Sequence, residues 1–225
     1  MRHEASYDNR SVETNAVQVD WAGMLAVLYP ILDPRCFGDS ESLLAAADEL
    51  VSAGCGLLQY RNKSGNARLV LDHARELKRR IGARARLIMN DRADLCLAAD
   101  YDGVHVGQDD LSPESVRKII GPDRWLGVST HNPDQLREAD LTAADYLAIG
   151  PVFATSSKQN PDPVVGLEGV RRARALTDKP LVAIGGITRS NAAAVIEAGA
   201  DSVAVISDLS RDPGKSAEEF LRILR

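Results

Sequence analysis

The chain is most easily bounded by what it lacks. No apolar run is long enough to cross a bilayer, so a membrane span is not expected. No basic segment leading into an apolar one opens it, so export is not expected and a cytoplasmic location is. Basic residues form no large block and the formal net charge is -5, which argues against a nucleic-acid partner. Cysteine is scarce: Cys36, Cys55 and Cys96 stand far apart without a CxxC pair. That excludes a disulfide framework and fits free thiols in a reducing compartment. The four histidines form no HxxxH or HExxH pair, so a zinc site is not expected. There is no linker and no low-complexity segment.

What is present is a rhythm. Residues 1–20 are polar and aperiodic and read as an N-terminal extension, leaving residues 21–225 as one domain. Short Val/Ile/Leu-rich runs then recur at 25–31, 56–60, 87–89, 103–106, 125–128, 146–149, 181–184 and 202–206. Amphipathic stretches alternate with them, at 40–53, 66–81, 93–99, 113–120, 133–141, 167–176, 191–198 and 216–224. Pro113 follows Ser112 and Pro133 follows Asn132, a cap-then-proline helix start. Gly54, Gly82, Gly121 and Gly199 fall where helices should stop. Nearly all-apolar strands alternating with helices predict a parallel sheet covered on its outer face. Eight such units predict a single closed (β/α)8 TIM barrel.

In such a barrel ligands meet the loops that follow the strands. Polar residues gather in those loops: Gln59, Tyr60, Arg61, Asn62 and Lys63 after the second strand, Asn90 and Asp91 after the third, Gln108 and Asp110 after the fourth. Ser129 follows the fifth, Thr155, Ser156, Ser157 and Lys158 the sixth, Gly185 and Gly186 the seventh, and Ile206 and Ser207 the eighth. Arg61, Lys63 and Lys158 suit an anion with more than one phosphate, Arg as a fork and Lys as a point charge. Asp91 and Asp110 would repel one another and those phosphates unless a divalent cation such as Mg²⁺ lay between them. Glycine after the seventh strand lets backbone approach a second phosphate closely. The site therefore predicts two small phosphorylated ligands. An oligomer is possible but not readable.

The ordered set Gln59-x-Arg61-x-Lys63, Asn90-Asp91, His105-x-Gly107-Gln108-x-Asp110, Gly127-x-Ser129, Gly150-Pro151, the 155–158 loop and Gly185-Gly186-Ile187 resembles the thiamine-phosphate synthase family from about Leu25 to the C-terminus. The resemblance implies a transferase that joins 4-amino-5-hydroxymethyl-2-methylpyrimidine diphosphate to 4-methyl-5-(2-hydroxyethyl)thiazole phosphate, giving thiamine phosphate and diphosphate. It implies that Arg61, Lys63, Asn90, Ser129 and Lys158 hold the pyrimidine's diphosphate, with Tyr60 and Asn62 also among the residues that bind this substrate. Gln59 would meet the ring, with His105 near it. Asp91 and Asp110 would hold Mg²⁺. Thr155, Ser156, Ser157, Gly186, Ile206 and Ser207 would hold the thiazole phosphate. Two positions depart from the family's pattern: Ser157 where Thr is frequent, and Asn62 where Glu is common.

No Ser–His–Asp set, catalytic cysteine or obvious general base appears in these loops, and the implied reaction needs none. The thiazole nitrogen carries no proton to lose, and an aminopyrimidine can stabilise positive charge at its exocyclic methylene. Diphosphate can then leave first, with Arg61, Lys63 and Lys158 stabilising it most in the transition state. Lys158→Ala is expected to lower turnover at least about tenfold, a loss of ~1.4 kcal/mol or more. Rival readings are the related thiazole tautomerase, which would not need the cations and carboxylates, and a non-catalytic sensor of thiamine precursors. An aldolase-like barrel would need a Schiff-base lysine, and none sits inside a predicted strand.

Overall fold

The computed structural model describes residues 25–155 and 162–225. Eight strands, β1 (Leu28–Leu32), β2 (Leu57–Tyr60), β3 (Arg86–Asn90), β4 (Gly103–Val106), β5 (Trp125–Thr130), β6 (Tyr146–Ile149), β7 (Leu181–Ile184) and β8 (Ser202–Val205), pair in sequence order into a closed barrel. Every pairing is parallel, including the closing one, where Leu28 stands beside Val203. The helices between them are α1 (Ser40–Ser52), α2 (Ala67–Ile81), α3 (Ala93–Ala98), α4 (Pro113–Ile120), α5 (Pro133–Asp140), α6 (Gly166–Arg174), α7 (Ala192–Glu197) and α8 (Pro213–Ile223). The expected (β/α)8 barrel is what the chain forms. The proposed extension at residues 1–20, with residues 21–24, lies outside the described residues.

The period-two alternation of each strand splits its apolar residues between two cores. Leu58, Leu87, Met89, Val104, Leu126, Leu147 and Val203 point outward and pack under the helices. Tyr29, Ile31, Leu57, Ile88, Trp125, Tyr146, Ala148, Val182 and Ala204 point inward and fill the barrel. Because both faces are apolar, the strands read as unbroken hydrophobic runs. Helix starts follow local chemistry: the Asp39, Asn66, Ser112 and Asn132 side chains each accept a backbone N–H of the first turn. At the opposite end of the barrel from the strand-following loops, three aspartates tie neighbouring strands. Asp102, Asp145 and Asp201 accept the N–H groups of Leu87, Leu126 and Leu181 at 2.8, 2.7 and 2.7 Å. Each also pairs with a cation, Lys78, Arg117 and Arg174 respectively.

Most boundaries shift by one or two residues, among them β3, which runs to Asn90, and β5, which runs to Thr130 and so contains Ser129. β1 lies at Leu28–Leu32 rather than 25–31, because its ladder starts only where Leu28 meets Val203. α8 starts at Pro213 rather than Ser216, with Asp212 as its cap and proline in the first turn. β8 ends at Val205, and Ile206 turns the chain into a short 3-10 turn at Ser207–Leu209. Cys36, Cys55 and Cys96 are free, and burial pushes the thiols of Cys55 and Cys96 up to about 12, which makes them inert core residues. No described helix is long and apolar enough to cross a membrane.

Candidate active site

A cavity of about 420 Å³ opens at the carboxyl ends of the strands. Its wall includes Gln59, Arg61, Lys63, Asn90, Asp91, His105, Asp110, Ser129, Thr155, Gly186, Ile206 and Ser207, so twelve of the residues expected from the sequence meet in one place. Two do not. The Tyr60 side chain points outward, opposite to Gln59, and is buried under the helices. Its hydroxyl meets the His73 ring at 3.1 Å and accepts from the Asn62 side chain at 2.9 Å. Asn62 in turn accepts the Ser64 N–H at 2.9 Å, so it shapes the β2 loop instead of lining the cavity. The reason for both is strand alternation: Gln59 faces inward, so its neighbour Tyr60 cannot. Ser156, Ser157 and Lys158 lie outside the described residues.

The carboxylates are built by backbone geometry. Asp91 follows β3 with a left-handed backbone (φ 62°), and its N–H donates to the His105 carbonyl at 2.8 Å. Aspartate is among the few residues that accept this conformation at modest cost. The Asp110 carboxylate is held by the Gly107 N–H at 2.8 Å. Burial pushes the Asp91 carboxyl above its ordinary range; Lys63 pulls it down, and the adjacent Asp110 carboxyl pushes it up again. Two crowded carboxylates with one ammonium form a site short of positive charge. Among the described residues no group of three or more His, Cys, Asp or Glu side chains could hold a metal. Two hard oxygen donors nevertheless fit Mg²⁺, which takes one or two carboxylates and completes its shell with water and phosphate oxygens.

Arg61 is fixed by a residue the sequence reading passed over. Asp33, fully buried just past β1, accepts Arg61 Nη1 at 2.5 Å and Arg35 Nη2 at 2.7 Å. Burial pushes the Asp33 carboxyl up, but hydrogen bonds from Arg35 and the charges of Arg61 and Arg35 outweigh it and hold it below its ordinary range. Asp33 stands at a strand end like the other polar groups, yet no residue of the loop after β1 was among those expected from the sequence. Tyr29 was also missed, and its signal was the same inward alternation that places Ile31 and Gln59. His131 donates its Nδ1–H to the Gly150 carbonyl (2.6 Å) and lies 3.4 Å from Asp162 through Nε2. It thereby connects β5 to the loop after β6.

Gly185 and Gly186 both have positive φ, 102° and 64°. A Cβ on Gly186 would lie 2.5 Å from the Ala154 carbonyl, and one on Gly185 2.6 Å from Pro151. These glycines let the β6 loop lie against β7, with the Val152 and Phe153 N–H groups donating to the Ile184 and Gly185 carbonyls at 2.9 Å. That packing carries Thr155 to the cavity beside Gly186 and Ser207.

The fold and this mouth, with cations, a carboxylate pair and a glycine-lined wall, define a phosphate-handling (β/α)8-barrel enzyme. Comparison makes the class specific. The family described as "Thiamine monophosphate synthase" matches residues 28–209. The chain is 62% identical over 200 residues to a thiamine-phosphate synthase of Koribacter versatilis, covering 88% of this chain and 95% of that one. It is 40% identical over 187 residues to that of Methanosarcina mazei, covering 82% and 78%. A thiamine phosphate pyrophosphorylase structure from Pyrococcus furiosus superposes with a TM-score of 0.78 at 34% identity, covering 88% and 94%. The chain belongs to the thiamine monophosphate synthase family.

Proposed function

We propose that this cavity joins 4-amino-5-hydroxymethyl-2-methylpyrimidine diphosphate to 4-methyl-5-(2-hydroxyethyl)thiazole phosphate, with Mg²⁺ as cofactor. Family membership supports the reaction itself, which belongs to thiamine biosynthesis. The C–O bond between the pyrimidine methylene and diphosphate breaks, the thiazole nitrogen supplies the electron pair of the new C–N bond, and thiamine phosphate and diphosphate result. No proton has to be removed to form that bond, in keeping with a cavity wall whose one buried histidine is held neutral.

The observation that carries the reading is that the Asp91–Asp110 pair, Lys63 beside it, and Arg61, braced from behind by Asp33, line the same cavity. Asp91 and Asp110 would hold Mg²⁺, which neutralises charge on a leaving diphosphate when bound. Arg61 and Lys63 meet the same diphosphate, with Asn90 and Ser129 as neutral partners. Loss of diphosphate before attack by the thiazole is the route these groups favour, because they bind the charge that grows on the leaving group. Gln59 and His105 face the pyrimidine, while Thr155, Gly186, Ile206 and Ser207 take the thiazole phosphate. The free thiols and the absence of a long apolar helix among the described residues agree with action in the cytoplasm.

The test is diphosphate release from purified protein given both substrates, with Mg²⁺ and with EDTA. Release that needs both substrates and metal, with thiamine phosphate formed, supports the reading. Release from the pyrimidine substrate without metal removes the metal role; no release at all removes the reaction.

A further inference from the structure

Five polar side chains from five different strands touch end to end across the barrel. Gln59 Nε2 on β2 donates to the Tyr29 hydroxyl on β1 at 3.0 Å. The Tyr29 hydroxyl meets that of Tyr146 on β6 at 3.1 Å. Tyr146 meets His105 Nδ1 on β4 at 3.0 Å, and His105 Nε2 meets the Ser129 hydroxyl on β5 at 2.8 Å. Tyr29, Gln59, His105 and Tyr146 are buried, whereas Ser129 is only half-buried and lines the cavity.

We infer that this chain has a single polarity, which makes Tyr146 and His105 positioning residues that commit the Ser129 hydroxyl to donate into the cavity. Counting protons along the chain of hydrogen bonds fixes its direction. A phenol has one proton, and the Tyr29 oxygen has two partners, of which the Gln59 Nε2 amide can only donate; the one acceptor left for the Tyr29 proton is the Tyr146 hydroxyl. The Tyr146 proton must then go to His105 Nδ1. A neutral imidazole has one N–H, which therefore sits on Nε2 and donates to Ser129 Oγ. The Ser129 proton is left to point at whatever anion occupies the cavity. Burial favours neutral members throughout, since Tyr29, His105 and Tyr146 all lie inside the barrel with only polar, uncharged partners in the chain. The Ser129 backbone is pinned separately, its carbonyl accepting Gln108 Nε2 at 2.6 Å.

The consequence rests on the reading that the cavity holds a diphosphate. A serine hydroxyl can accept or donate, and free rotation would let it face a phosphate with either its lone pair or its proton. The relay removes that choice before the ligand arrives. Such preorganised donors matter most when negative charge grows on the acceptor.

The first test needs no substrate. With ¹⁵N-labelled histidine, the His105 ring in ligand-free protein (assigned with His105→Gln) should show the Nε2–H tautomer. An Nδ1–H tautomer overturns the proposal whatever the enzyme catalyses. The second test is a cycle. Tyr146→Phe should shift the His105 tautomer and lower kcat at least about tenfold, while the KM for thiazole phosphate changes less than threefold. In a Ser129→Ala background the same change should lower kcat less than threefold, because the group it acts through is gone. Fully additive losses would assign Tyr146 a merely structural role and overturn the relay. If Tyr146→Phe does not fold, the His105 tautomer of the ligand-free wild type decides the proposal alone. The expected tautomer in a protein that makes no thiamine phosphate would retain the relay and remove the functional reading instead.

Discussion

The Lys63 ammonium donates to the Asp91 carboxylate, joining the loop after β2 to the residue that follows β3. A cation thus already stands where the carboxylate pair needs one. Lys63 is about half exposed and can turn toward a ligand, so the ion pair and the proposed metal would compete for the same oxygen. Lys63→Met should therefore bind Mg²⁺ alone more tightly, by several-fold in calorimetry without substrates. Turnover should still fall at least about tenfold, since a charge contact to diphosphate is lost. Weaker Mg²⁺ binding in the variant would show that Lys63 does not occupy the site.

Asp33 supplies the second prediction. Its carboxylate is buried and holds two guanidinium groups, so Asp33→Ala leaves Arg61 partly buried without its partner. Breaking such a pair costs about 3 kcal/mol or more. Asp33→Asn keeps the shape and loses the charge, so it should fold better than Asp33→Ala yet still raise the KM for the pyrimidine diphosphate. The pH sign follows from the depressed carboxyl. Its contribution is fully present above the ordinary carboxylate pKa and is lost as pH falls through its lower folded value. Chemical denaturation of wild type and Asp33→Asn should converge in acid. Curves that keep a constant separation down to pH 3 would exclude this linkage.

His105 acts in the opposite chemical class but with the same direction of pH dependence. Burial lowers it from 6.5 to about 4, so the unfolded chain takes up the proton first. Stability is fully present above pH 6.5 and declines as pH falls toward 4, by about 3 kcal/mol at most. His105→Gln should flatten the denaturation midpoint between pH 6.5 and 4.5. A profile as steep as that of the wild type would place the titration elsewhere.

How much of this was legible in the sequence differs by the kind of signal. Strand and helix order was plain, because both faces of each strand are apolar and the caps at Asn66, Ser112 and Asn132 are local. The cavity residues were legible once strand ends were known: Asn90, Asp91, Asp110 and Ser129 follow from counting. Tyr60 failed the same count, since one residue of register reverses the face, and the reading took the whole 59–63 stretch as one loop. Asp33 follows directly on Leu32, whose place as the last residue of β1 is set by pairing with Tyr60 of β2, a contact that no local pattern around residue 33 announces. The relay was not legible at all. It joins Tyr29, Gln59, His105, Ser129 and Tyr146 through barrel closure, and no local pattern marks residues 117 apart as hydrogen-bonded neighbours.

Gly127 ties these threads together. It sits between His105 and Tyr146 in the barrel register, and a Cβ there would lie 2.1 Å from Tyr146 Cζ and 2.4 Å from His105 Nδ1. Its backbone has no positive φ, so conformational freedom does not demand glycine; the space does. Gly127→Ala must push the tyrosine ring, the imidazole or both out of place, at a cost of about 1–3 kcal/mol typical of overpacking. Because the displaced atoms are those of the Tyr146–His105 hydrogen bond, activity should fall more than stability predicts. The check is to compare Gly127→Ala with Gly121→Ala, which fills open space at a helix end with positive φ and strains only the backbone. If the two variants lose similar stability, only Gly127→Ala should lose turnover at saturating substrate. Equal turnover in both would mean that the imidazole and phenol need not touch for the chemistry to proceed.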